Sequence, residues 1–90
     1  MNDFQKYLEK QLKDPEFKVE YEALKPEYDA VRAVIAARLS CNMTQKELAE
    51  RSGLRQSNIS RIESGSASPT VDTLSRIAAG LGKQLKIEFI

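Results

Sequence analysis

The run from Thr44 to Gly65, TQKELAERSGLRQSNISRIESG, carries the reading of the fold. Thr44 and Glu47 form T-x-x-E, in which the threonine oxygen accepts the amide three residues on and the glutamate reaches back to the cap amide. This spacing predicts a helix over Gln45–Ser52, stopped by Gly53, which can take a positive φ without steric cost. Ile59 and Ile62 mark the inner side of a second helix, which begins near Arg55 and is ended by Gly65. Ala49 is small where that second helix must come close, and Leu54 points inward with the two isoleucines. Two short helices crossing at a steep angle account for all of these features.

The outward positions of the second helix are Arg55, Gln56, Ser57, Asn58 and Arg61. They gather amides, guanidinium groups and hydroxyls at its start and exposed side. Such groups make paired hydrogen bonds to base edges and reach phosphates.

Upstream, Phe4, Tyr7, Leu8 and Leu12 recur at helical spacing. Asp14 and Pro15 read as an N-cap followed by a proline at the first helical position, and Phe17, Tyr21 and Leu24 continue an apolar stripe. Lys25–Pro26 is expected to interrupt this helix, because the proline ring pushes the residue before it away from helical dihedrals, and a further helix is expected to start at Pro26. Val31, Val34, Ile35 and Leu39 share one face of it, with Arg38 close to the same stripe. Downstream, Ser64 to Pro69 is a loop, and Thr70 opens a helix in which Val71, Leu74, Ile77, Ala78 and Leu81 form the apolar side. Leu85, Ile87 and Phe89 then alternate with polar residues, the pattern of a half-buried strand that lacks a second strand in its own chain. Its expected partner is a second copy, with Leu85, Ile87 and Phe89 at the dimer joint, or the sheet of another protein.

The stretch resembles the helix-turn-helix of the phage-repressor and Cro-like family, with Q-x-E-L-A in the first helix and I-S-R-I-E-x-G closing the second. The resemblance covers about Val31 to Leu81. It implies an all-α fold, a five-helix lambda-repressor-like domain over about residues 26–81 with residues 55–64 in the major groove of an operator. On this fold class the chain divides into a leader of one or two N-terminal helices (1–25), the domain (26–82) and a terminal β-strand (83–90). By the resemblance Gln56, Ser57 and Arg61 fall where the family reads bases. Gln45 falls where it grips a phosphate, beside Thr44, and Arg55 and Asn58 are further backbone contacts. Arg55 departs from the serine or threonine usual at that cap. Arg38 and Glu63 fall where the family pairs an arginine with a glutamate between helices, which implies a partly buried structural ion pair.

The leader, LEKQLKDPEFKVEYEAL, resembles the start of HigA-like antitoxins. That resemblance implies neutralisation of a small RelE-like, mRNA-cleaving toxin and repression of the protein's own operon. Phe4, Tyr7, Leu8, Phe17 and Tyr21 are then toxin-binding candidates, although the same residues could pack on the protein's own core. A free-standing repressor without a toxin differs only in what the leader touches. A homodimer is expected in either case, since one recognition helix reads only a few base pairs and specific affinity generally requires two half-sites.

Composition narrows the other classes. Ninety residues suffice for one small core, burying about 60–65% of the surface of the unfolded chain. Residues 1–30 carry five Lys against eight acids, net −3, while residues 31–90 carry nine Lys or Arg against five acids, net +4, so the basic part coincides with the motif. The chain has no histidine and a single cysteine, Cys41, which leaves no metal ligand set, no intrachain disulfide and no expected cofactor. Without clustered carboxylates or a glycine-rich phosphate loop, an enzyme is not expected. No segment approaches a membrane span, and a cytoplasmic protein is the expectation.

Overall fold

The computed structural model describes residues 3–90. Five helices follow one another: α1 (Asp3–Gln11), α2 (Pro15–Ser40), α3 (Gln45–Ser52), α4 (Gln56–Glu63) and α5 (Val71–Gly80). Their ends follow local chemistry. Asp14 accepts the amide of Glu16 at 3.0 Å to start α2. Thr44 accepts that of Glu47 at 3.0 Å while Glu47 returns to the Thr44 amide at 3.2 Å, a complete capping box for α3. Thr70 caps α5 through the amide of Thr73. Gly53, at φ 69°, takes the left-handed conformation that closes α3.

Two expectations are corrected. Pro26 lies inside α2 and starts no new helix, so α2 runs unbroken from the leader into the repressor-like part. The physical reason is visible on its face. Phe17, Tyr21, Leu24, Tyr28, Val31 and Ile35 keep alternating spacings of four and three across the proline. The rings of Tyr21 and Tyr28 meet at 5.6 Å across it, continuing the Phe17–Tyr21 stack at 6.2 Å. Against these contacts stands one missing hydrogen bond at an exposed position, where water can serve the freed carbonyl of Glu22. One helix therefore spans both sides of residue 26, and the five helices are those of the whole described chain.

The second correction concerns the tail. Residues 83–90 form no β-strand: alternation is necessary for a half-buried strand, but a strand also needs a neighbour for its ladder, and the described residues offer only helices. Ile87 and Phe89 are exposed, and Leu85 is about one third exposed, at 37%.

The core sits around α3. Leu48 and Ile59 are 0% exposed, and Val34, Ala49, Ile62 and Ile77 are buried with them, flanked by Leu54, Leu74 and Leu81. Thus α3 is clasped between α4 and α5, while α2 supplies Val34 and packs on α4. By contrast α1 buries none of its residues and lies at the margin. Among the described residues no helix is long and apolar enough to cross a membrane.

Candidate nucleic-acid interface

Helix α4 is positioned by its inner face: Ile59 and Ile62 are buried in the core, which fixes which side chains look out. Gln56, Ser57 and Arg61 are exposed, as is Arg55 at the N-cap, and Asn58 is half-buried. Arg61 Nη2 donates to Asn58 Oδ1 at 3.3 Å, so the two share one turn and Asn58 steadies the guanidinium. Ser60 joins the same exposed face. It was not singled out from the sequence, although its place three residues after Ser57 and four after Gln56 is the signal that finds it.

Arg55 has extended backbone at φ −80° and ψ 144°, as an N-cap should, but makes no side-chain cap bond. The helix therefore starts with an orphan amide, and the long cationic side chain is left free of the helix end. Arg55→Ser is expected to stabilise the fold by roughly 0.5–2 kcal/mol through the restored cap. It should at the same time weaken binding to any polyanion. Urea unfolding and DNA titration of the same variant check both halves, and a variant that is no more stable than the parent refutes the first.

The other end of α4 meets α2 and α3 through a polar cluster. Arg38 Nε donates to Glu63 Oε2 at 2.7 Å and Arg38 Nη2 to Glu63 Oε1 at 2.8 Å, a bidentate pair with side chains 13% and 7% exposed. Arg38 Nη1 donates to the Met43 carbonyl at 2.8 Å, and Gln45 Nε2 donates to Glu63 Oε1 at 3.2 Å. Burial pushes the Glu63 carboxyl up, but the hydrogen bonds from Arg38 and Gln45 outweigh it and hold the group below the usual carboxylate range. The Glu63 partner in turn raises Arg38 above its ordinary value. Gln45 thus stands half-buried at the first position of α3 beside exposed Thr44. The link from Gln45 to Glu63 was not visible in the sequence, because the two are eighteen positions apart.

Away from this face the leader forms an apolar cleft of about 640 Å³. Phe4, Tyr7 and Leu8 of α1 form one wall and Phe17, Tyr21, Tyr28 and Val31 of α2 another, with Glu63, Ser64 and Gly65 at the end of α4 closing it. The five leader residues expected to meet a partner, Phe4, Tyr7, Leu8, Phe17 and Tyr21, line this one cleft, whereas Leu12 and Leu24 do not. Phe4 and Tyr7 remain exposed. Leu85, Ile87 and Phe89 lie elsewhere: Leu85 and Ile87 border a second groove between α2 and α5, and Phe89 does not. Among the described residues no group of three or more His, Cys, Asp or Glu is placed to hold a metal ion.

A family model described as Helix-turn-helix matches residues 34–87. Antitoxin HigA1 of two Mycobacterium tuberculosis strains is 36% identical over 74 residues, covering 82% of this chain and 50% of that protein. This chain therefore spans about half the length of those relatives. A Haemophilus influenzae HTH-type transcriptional regulator is 39% identical over 57 residues, 63% of this chain and 58% of the relative. Among solved structures, a mutant of the restriction-modification controller protein C.Esp1396I is 34% identical with a TM-score of 0.60, covering 61% of this chain and 71% of that one. A match of 74 residues cannot fit within 34–87 and must include residues 17–74. The likeness to HigA1 therefore takes in the aromatic half of α2.

Proposed function

The chain belongs to the helix-turn-helix family, and from this premise we propose that it is a sequence-specific transcriptional repressor and a HigA-like antitoxin. The observation that carries the DNA reading is the exposed row Gln56, Ser57 and Arg61 on a helix whose opposite face is fixed in the core. These three read bases in the major groove, while Thr44, Gln45, Arg55 and Asn58 hold phosphates on either side. A saturable complex with the protein's own promoter should weaken with added salt at a slope of roughly −0.9 per phosphate neutralised. Gln56→Ala or Arg61→Ala should cost ~1–3 kcal/mol on that operator and relax preference at one base pair. Salt-independent binding, or none, rejects the reading.

The antitoxin half rests on the leader. Phe4, Tyr7, Leu8, Phe17 and Tyr21 share one open cleft, and the similarity to HigA1 extends into it. A small HigB- or RelE-like mRNA-cleaving toxin would bury these side chains, and co-expression with the product of the adjacent gene is the direct assay. The second reading is a regulator without a toxin, favoured by the likeness to the controller protein, which covers only 61% of this chain. In that case Tyr7→Ala and Tyr21→Ala leave the effect of every neighbouring gene product unchanged.

Two copies serve two half-sites in either reading. The exposed apolar side chains of Leu85, Ile87 and Phe89 are the proposed joint. Deleting residues 84–90 should then convert dimer to monomer in sedimentation, and an unchanged dimer moves the joint elsewhere.

A further inference from the structure

The ion pair between α2 and α4 does more than link two helices, because both of its members also grip the start of α3. Arg38 holds the Met43 carbonyl, in the residue just before the capping Thr44, and Glu63 holds the side chain of Gln45, the residue just after it. We propose that Arg38 and Glu63 are positioning residues for DNA binding, acting on the phosphate backbone through Gln45. The proposal rests on the DNA-binding reading above.

The chemistry of the contact gives it direction. A glutamine carboxamide presents two donors on one end and an acceptor on the other, and a free side chain exchanges the two by rotation about its last bond. A carboxylate accepts only. Glu63 Oε1 therefore draws in the Nε2 end, leaving the second N–H of the same nitrogen to donate elsewhere. A phosphate oxygen at the start of α3 would meet a donor already oriented, with less side-chain freedom to lose on binding. An unpaired carboxylate at this place would repel that phosphate; the bidentate guanidinium of Arg38 offsets its charge. The same guanidinium fixes the chain immediately ahead of the capping box, so the backbone and the side chain of the α3 start are set by one pair.

A mutant cycle on the operator separates this role from plain stabilisation. The chains are the parent, Gln45→Ala, Arg38→Met/Glu63→Leu, and the triple variant, each shown to be folded by its helical melting curve. Gln45→Ala is expected to weaken binding about tenfold on all sequences alike, a typical size for one charge-assisted contact. The apolar pair should weaken it similarly without changing base preference, and the salt slope should stay close to the parent's in every variant, because Gln45 is uncharged and the Arg38–Glu63 pair is net neutral. Adding Gln45→Ala to the apolar pair should then cost less than about twofold, since the contact is already lost. Losses that multiply in the triple variant overturn the proposal and leave the DNA reading standing. Absence of operator binding by the parent overturns both.

A measurement on the parent chain covers the case in which the apolar pair does not fold. The side-chain NH2 group of Gln45 should be ordered in DNA-free protein, with an NMR order parameter approaching the ~0.85 of rigid backbone. A value typical of a freely rotating surface glutamine overturns the proposal.

Discussion

Removing either partner of the Arg38–Glu63 pair alone, as Arg38→Met or Glu63→Leu, is expected to destabilise the fold by roughly 3–5 kcal/mol. The size follows from what is left behind. With side chains 13% and 7% exposed, the surviving charge has little access to water and keeps only part of its hydrogen bonding. Glu63 without Arg38 would retain the single bond from Gln45; Arg38 without Glu63 would retain only the Met43 carbonyl. The double variant replaces both charges with apolar side chains of similar length and should recover most of the loss, because a buried pair often costs about as much to desolvate as it returns. For a domain whose whole stability is of order 5–15 kcal/mol, either single change would leave a marginal protein. Urea unfolding of the three variants reads this directly. A double variant far less stable than both singles would refute the account. Exposed pairs such as Lys25–Asp29 at 3.0 Å and Arg76–Asp72 at 3.0 Å, with side chains about half exposed or more, belong to a different class and should contribute little on their own.

The same pair sets an acid limb. Glu63 is held below the usual carboxylate range in the folded chain, so its folded value lies below its unfolded one. The stabilisation is then complete at neutral pH, above the unfolded value, and is lost as pH falls through the folded one. Unfolding free energy should decline into the acid range in the parent. It should decline less in Arg38→Met/Glu63→Leu, where the group is gone.

The contrast between these residues and others explains which features could be read in advance. Capping boxes, a glycine at a helix end and the inward spacing of Ile59 and Ile62 are local, and each resolves within a few residues. The helix that follows Gly53 is made of such signals, and α4 spans Gln56–Glu63. Pro26 misled because its local bias competes with ring contacts at positions 21 and 28, which depend on the helix continuing. The tail misled in the opposite way: its alternation is genuine, but a ladder requires a neighbour that the described chain does not contain. Gln45 could be placed at the start of α3 from the sequence, yet its hydrogen bond to Glu63 depends on how α3 and α4 cross. Gly80 shows the same limit. A glycine near a helix end has locally only the low helix propensity of its type, whereas the structure gives Gly80 a packing role.

That role supports the second large expectation: Gly80→Ala should destabilise the protein by about 1–3 kcal/mol, the usual cost of overpacking a tight contact. In an exposed helix the same change would be favourable by about 1 kcal/mol. Here a Cβ at residue 80 would lie 2.5 Å from Ser52 Oγ, 3.1 Å from Ser52 N and 3.2 Å from Arg51 C. The first distance is impossible without movement, and the other two involve the backbone of α3, which cannot turn aside as a flexible side chain would. Ser52 is itself buried, and its hydroxyl has no hydrogen-bond partner among the described residues, so the oxygen occupies the contact without being tied in place. Ser52→Ala should therefore be tolerated and should rescue Gly80→Ala in part, removing the closest clash while the backbone contacts remain. Melting curves are sensitive enough, since 1 kcal/mol shifts a domain of this size by roughly 4–8 °C. Gly80→Ala melting at or above the parent temperature would show that α5 can retreat from α3 without loss. If it cannot, the shift must pass into α3, the helix whose first residue is Gln45, and operator affinity should fall along with stability even though residue 80 lies at the far end of α5.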